Sequence, residues 1–182
     1  MNLLLRNIKI KTYLVALISI SFLCFISCDF ILSKNEENSI KNKIVKTYKD
    51  EAKLLVKASI NNLDIIKLSK SLTKETTLKS VDHLAIKLEK SHLEILESYN
   101  KIANDKLISV PNYSNLKLEE STESISSRLR LIISKINKQI DLLNNLKTTS
   151  RNEDILELTD NVQSILKTNK IKTENVLNHL II

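Results

Sequence analysis

The residues whose types and spacing could do chemistry are Glu89 and His92, separated as Glu-x-x-His. Three apart on a helix, a carboxylate and an imidazole project from the same face and can reach one metal ion. In di-iron bundles two such motifs come from two helices, and two further Glu come from the others. This chain has one such motif. The helical stripe after residue 118 carries no acid, and the last stripe offers only Asn169 among its core positions. A shell of four carboxylates and two imidazoles therefore cannot be assembled in any register. Glu89 and His92 are the only metal candidates, and the expectation is that no metal or other cofactor is held. The preferred reading of His92 is a buried, neutral imidazole hydrogen-bonded to a neighbouring hydroxyl or carbonyl, since burial disfavours the charged form. His83 lies off the apolar stripe and should be solvated. No serine has a placed His–acid pair, so no catalytic constellation is present and no enzyme is expected.

His92 belongs to the stretch from Val81 to Ala103, against which everything else must pack. Val81, Ala85, Leu88, His92, Ile95, Tyr99 and Ile102 recur at alternating steps of four and three, which draws one stripe along a helix. Such a stripe is marginal alone in water and requires partners. Upstream, Tyr48 to Leu72 carries two lines: Ala52, Leu55, Ser59, Leu63 and Ile66, and Leu54, Ala58, Ile65, Leu68 and Leu72. Downstream, Leu118, Thr122, Ile125, Leu129, Ile132, Ile136, Ile140 and Leu143 mark a third helix. Ile155, Leu158, Val162, Ile165, Thr173, Val176 and Leu180 mark a fourth. Thr73 to Thr77 suits a turn and an N-cap, and Ser150-Arg151-Asn152-Glu153 has the capping-box form. The sole proline, Pro111, forces Val110 towards an extended conformation and places the long connection between helices two and three. The expected fold is all-α, an antiparallel four-helix bundle over residues 46–182.

Composition narrows the function further. The 182 residues contain no glycine and one proline, which favours helices throughout. It also excludes a phosphate-cradling loop or a dinucleotide fingerprint, both of which need glycine where backbone meets ligand. Net charge is +7, but residues 1–27 hold Arg6, Lys9 and Lys11 and no acid, so without them the balance is +4. Lysines alternate with acids along the helices, and only three Phe and four Tyr are available to stack on bases. A solvated helical surface is expected, with no nucleic-acid partner.

Met1 to Lys11 is basic, and Tyr13 to Ile26 is an apolar run ending in Ser27-Cys28. A basic region followed by about 7–15 apolar residues is the pattern of a secretory signal, whereas a spanning helix needs about 20. Phe25-Ile26-Ser27-Cys28 resembles the bacterial lipobox, in which a small residue precedes a cysteine that is lipidated and becomes the mature N-terminus; Phe25 stands where Leu is usual. The expected organisation is a lipoprotein signal peptide over 1–27, lipidated Cys28 and a tether over 28–45, and the bundle. Both cysteines, Cys24 and Cys28, lie in this leader region, so the bundle holds no thiol. The competing expectation is an uncleaved short anchor. Either way the partner is a membrane, and acylation at Cys28 by more than one chain would make the attachment stable. Asp29 resembles an inner-membrane retention signal, a rule that differs between lineages, so inner and outer membrane, periplasmic face and cell surface stay open.

The first hairpin resembles a bacterial envelope family catalogued as domain of unknown function 4142. The matching positions are Leu55-Val56, Ala58, Asn62-Leu63, Ile66-Lys67-Leu68, Leu72, Val81, Leu84, His92 and Ile108-Ser109-Val110-Pro111. In the second half the likeness is confined to the helical pattern and Ile140-x-Leu142-Leu143. Ile136 stands where members often place a further histidine, and Ser69 where a glycine is common. The resemblance implies a ferritin-like bundle and an envelope address, and no shared activity. The expected function is thus a lipid-anchored envelope module that binds an unknown protein partner or serves a structural or stress-protective role. The alternatives are a ferritin-like metal-binding protein using Glu89 and His92, and a surface-exposed adhesin-type lipoprotein.

Overall fold

A computed structural model describes the backbone of residues 2–111, 113 and 123–181, with side chains from residue 38 to 180 within that range. Four helices follow in order: α1 (Asn2–Glu75), α2 (Lys79–Asp105), α3 (Ile125–Thr149) and α4 (Glu153–Ile181). The segment from Ile31 to Ile44, its first part expected as a tether and its second as a lead-in to the first helix, has helical backbone within α1. It contains neither glycine nor proline, so nothing in it breaks a helix once one is running. The side chains of the expected signal peptide and of Cys28 lie outside the described residues, as do Leu118 and Thr122. Among the described residues no helix is long and apolar enough to cross a membrane. The chain divides into two units, Met1–Lys46 and Thr47–Ile182, and the second holds the core.

Side-chain contacts fix the helix directions. Asn62 meets His92 and Lys70 meets Glu89, so α1 and α2 run antiparallel. Asp64 meets Lys135 and Glu75 meets Arg128, which makes α3 antiparallel to α1. Asn144 meets Gln163 and Lys147 meets Asp160, which turns α4 back against α3. It follows that α2 and α3 run the same way. Adjacent helices are thus antiparallel all round, with α4 packed on both α2 and α3. The four-helix bundle expected from the spacing is the observed fold.

Each helix buries a line at steps of three and four. On α1 it is Leu55, Ala58, Asn62, Ile65, Ser69 and Leu72; on α2, Val81, Ala85, Leu88, His92, Ile95, Tyr99 and Ala103. On α3 the line is Leu129, Ile132, Ile136, Gln139, Leu143 and Leu146. Here Gln139 takes the place that apolarity alone would give to Ile140, which is only half-buried. On α4, Leu166 and Leu177 are buried where Ile165 and Val176 were expected. Two buried hydroxyls are satisfied within their own helices, Ser69 donating to the Ile65 carbonyl at 2.8 Å and Thr173 to that of Asn169 at 2.7 Å, whereas the buried Ser59 hydroxyl has no partner among the described residues.

The helix ends correct two expectations and add a third cap. Asn152, not Ser150, caps α4, accepting from the Ile155 amide at 3.1 Å. Ser150 instead closes α3 and accepts from the Asn152 amide at 3.0 Å. The N-cap position of α2 is Leu78, which has no side-chain cap, while Thr76 accepts from the Leu78 amide as a turn residue. Third, α3 begins with Ser124 as its cap, accepting from Ser127 at 3.2 Å. At the end of α2, Leu107 adopts a φ of 55°, the left-handed conformation that glycine normally supplies. The chain has no glycine to place there. The turn closes through the Ile108 amide on the Ala103 carbonyl at 2.7 Å, and the Tyr48 hydroxyl donates to the Lys106 carbonyl.

Candidate functional site

Halfway along the bundle the buried lines change from apolar to polar at one level. Asn62, His92 and Gln139 are all buried there, and each belongs to a different helix. His92 has no exposure, and its Nδ1 lies 2.6 Å from Asn62 Oδ1. Because an amide oxygen can only accept, Nδ1 carries the proton and donates. Asn62 returns a bond through Nδ2 to the His92 carbonyl at 2.7 Å, clamping α1 to α2 twice. Gln139 Nε2 donates to Asn62 Oδ1 at 3.3 Å and to the Tyr99 hydroxyl at 2.9 Å, which joins α3 to both. From α4, Asn169 donates to the Ser91 hydroxyl at 2.8 Å, beside His92 in the chain.

Burial sets the protonation states. With no partner charge beside it, desolvation lowers the His92 pKa from 6.5 to about 3, so the ring is neutral at physiological pH. Burial likewise pushes the Tyr99 phenol above its ordinary range, against the opposing pull of the Gln139 amide. His92 Nε2 has no hydrogen-bond partner among the described residues. As expected, His92 is a buried neutral imidazole hydrogen-bonded to a carbonyl oxygen, that of the Asn62 side-chain amide on α1.

Glu89 does not join this layer. It lies near Lys70, with 4.0 Å between ammonium and carboxylate, and accepts a long bond from the Tyr113 hydroxyl at 3.5 Å. Lys70 donates to that hydroxyl at 2.9 Å, and the contact holds its ammonium above the usual lysine range. Lys70 and Glu89 hold Tyr113 against α1 and α2, over a small apolar patch of Leu63, Ile66 and Leu96. Glu89 and His92 are thus committed to different partners despite their spacing, and no group of three or more His, Cys, Asp and Glu among the described residues could hold a metal ion. His83 is exposed, as is His179 near the end of α4.

The layer reaches outward through Asn61, which is 3% exposed. Its Nδ2 donates to the Lys135 carbonyl at 2.7 Å and reaches Gln139 Oε1 at 3.4 Å. Its Oδ1 receives no donor among the described residues. Asn61 also lines a groove between α1 and α3, together with Lys57, Ile60, Asp64, Lys138 and Leu142. Sequence reading missed Asn61 and Gln139, and saw Asn62 only within the family-like pattern. The available signal was position: Asn62 follows Leu55 by seven residues, and Gln139 follows Ile132 by seven, so both continue a buried line.

Known proteins supply no further guide. The chain matches no family model, no curated protein and no solved structure. The layer and the groove beside it are accordingly read from their own chemistry.

Proposed function

We propose that this chain is a lipid-anchored bacterial envelope protein, tethered to a membrane through Cys28, whose helical domain works by binding a partner and not by catalysis. The address is supported by the basic region, the apolar run and Ser27-Cys28. The binding role is supported by how the polar groups are divided. Asn62, His92 Nδ1, Gln139 and Tyr99 at the centre are engaged with one another across three helices, while Asn61, at the outer edge of the layer, lines a groove on the bundle surface. A rigid scaffold suits recognition, because a network that links helices restricts their movement. Palmitate labelling of the expressed chain and of Cys28→Ala tests the anchor. Label and membrane association lost together in the variant are expected; an unlabelled wild type, or unchanged fractionation of the variant, contradicts it.

A second reading, a ferritin-like metalloprotein related to the family named above, draws on two observations. The parallel course of α2 and α3 with a long crossover suits that class of bundle, and His92 Nε2 is without a partner. Glu89 would have to leave Lys70 and Tyr113 to join it. Stoichiometric iron or manganese in the purified protein, lost in His92→Ala, would favour this reading over the first.

A further inference from the structure

Residues 76–78 join α1 to α2 and residues 150–152 join α3 to α4, whereas 106–124 separate α2 from α3. A turn of three residues fixes the register of the two helices it joins. The long connection leaves the α3–α4 hairpin free to sit at more than one level along the α1–α2 hairpin, because loop closure depends only slowly on length. The apolar lines do not choose between levels. A slide of seven residues, about 10 Å, puts Leu129 or Leu143 where Ile136 lies, and exchanges among aliphatic side chains of similar size cost little. Buried polar groups do choose. Arg128, Gln139 and Asn169 of the second hairpin are 3%, 0% and 6% exposed, and each bonds across to the first. Arg128 pairs with Glu75 at 2.7 Å and reaches Ser71 at 3.4 Å. Gln139 donates to Tyr99 at 2.9 Å and to Asn62 at 3.3 Å, and Asn169 donates to Ser91 at 2.8 Å. After the slide Gln139 would face Leu55 or Ser69 in place of Asn62 and would lose Tyr99, leaving a buried amide short of partners. Stability alone is a poor reason to keep these residues. Arg128 Nε has no partner among the described residues, and well-packed apolar side chains commonly serve as well as a buried ion pair.

We infer that Arg128, Gln139 and Asn169 are register pins, which select one alignment of the α3–α4 hairpin on the α1–α2 hairpin from alignments that the apolar lines leave nearly equal. The device depends on neither the lipid anchor nor the binding reading above. It can be removed without stranding most of its partners. Ser71 still donates to the Leu68 carbonyl, Ser91 to that of Leu88, and Asn62 keeps both bonds to His92. Glu75 is part-exposed and is solvated when Arg128 leaves. The Tyr99 hydroxyl has Gln139 as its partner, so Tyr99→Phe must accompany the loss of the glutamine.

The test removes all the pins at once, in Arg128→Met, Gln139→Leu, Asn169→Leu and Tyr99→Phe combined, and reads register and stability separately. Spin labels go on Lys53→Cys and Arg130→Cys, both exposed, in the full-length chain in mild detergent, with Cys24→Ser and Cys28→Ser so that no other thiol is labelled. Arg130 is two residues from Arg128, and Lys53 lies roughly 30 Å along α1 from the Arg128–Glu75 pair, so a slide changes their separation nearly in full. Pulsed electron spin resonance should give one distance for the chain with its pins. The pinless variant should show a second, about 10 Å from the first, with a urea midpoint no lower than that of the pinned chain. Restoring Gln139 and Tyr99 alone should bring back the single distance. A folded pinless variant with one unchanged distance would overturn the inference, because the apolar shapes would then set the register. A variant that unfolds, or melts well below the pinned chain, would overturn it too, because the three residues would then act through stability and not through choice.

Discussion

Acid should loosen the bundle through His92, by an amount that can be worked out. The ring is fully buried, and its pKa falls from 6.5 to about 3 on folding because desolvation penalises the imidazolium. The folded state therefore binds this proton less readily than the unfolded state does. Its contribution is intact above about pH 6.5, where neither state is protonated, and is lost at about 1.4 kcal/mol per pH unit as the pH falls towards about 3. By pH 5 the loss is about 2 kcal/mol, and over the whole window it approaches about 5 kcal/mol, comparable with the net stability of many domains. Urea denaturation at half-unit steps from pH 7.5 to 4.5, for wild type and His92→Gln, measures this directly. The glutamine keeps a neutral donor for Asn62 and cannot ionise. Carboxylate titrations affect both proteins and cancel in the comparison. Relative to the variant, the wild type should lose about 2 kcal/mol between pH 6.5 and 5. Parallel pH profiles for the two proteins would refute the reasoning.

Other perturbations have distinct expected outcomes. Leu88→Ala, in the middle of the α2 line where the side chain is buried, should cost about 2–5 kcal/mol through lost burial and the cavity left behind, read as a lower urea midpoint. Gln139→Leu strips the Tyr99 hydroxyl of its partner and removes one donor from Asn62. It should destabilise by about 1–3 kcal/mol despite being more apolar, measured by the same denaturation. Leu107→Gly should raise stability by about 0.5–1 kcal/mol, because Leu107 is 93% exposed with little packing to lose and sits at a φ that glycine adopts freely. A calorimetric melting point unchanged or lowered in that variant would show that the turn stores no strain.

The sequence was informative where apolar residues alone define the period. All of Val81, Ala85, Leu88, His92, Ile95 and Tyr99 are buried, as their spacing required, and Leu129, Ile132, Ile136 and Leu143 line α3. It misled where a polar residue occupies a core position next to an apolar neighbour. Gln139 beside Ile140 looks like a surface residue to a hydropathy reading, yet periodicity places it on the buried side, as it does Asn169, already expected among the core positions of α4. Their burial is tolerated only because partners from other helices satisfy them, and a pairing across helices is not visible in local sequence. The same limit explains Glu89. Its spacing from His92 permits a shared ligand, but Lys70, nineteen positions earlier, and Tyr113, twenty-four positions later, draw it outward. Caps were shifted for a local reason: Ser150 and Asn152 are both good N-caps, and the backbone gave the role to the second.

The central claim is that His92 belongs to a closed polar layer, with its Nδ1 proton held by Asn62 and its charge excluded. Nitrogen-15 spectra of the imidazole across pH 5 to 8 test it most directly. The account predicts a single neutral tautomer protonated at Nδ1, unchanged over that range, whose proton exchanges slowly with water and whose signal moves in Asn62→Ala. A ring that titrates near pH 6.5, or one protonated at Nε2, would contradict it.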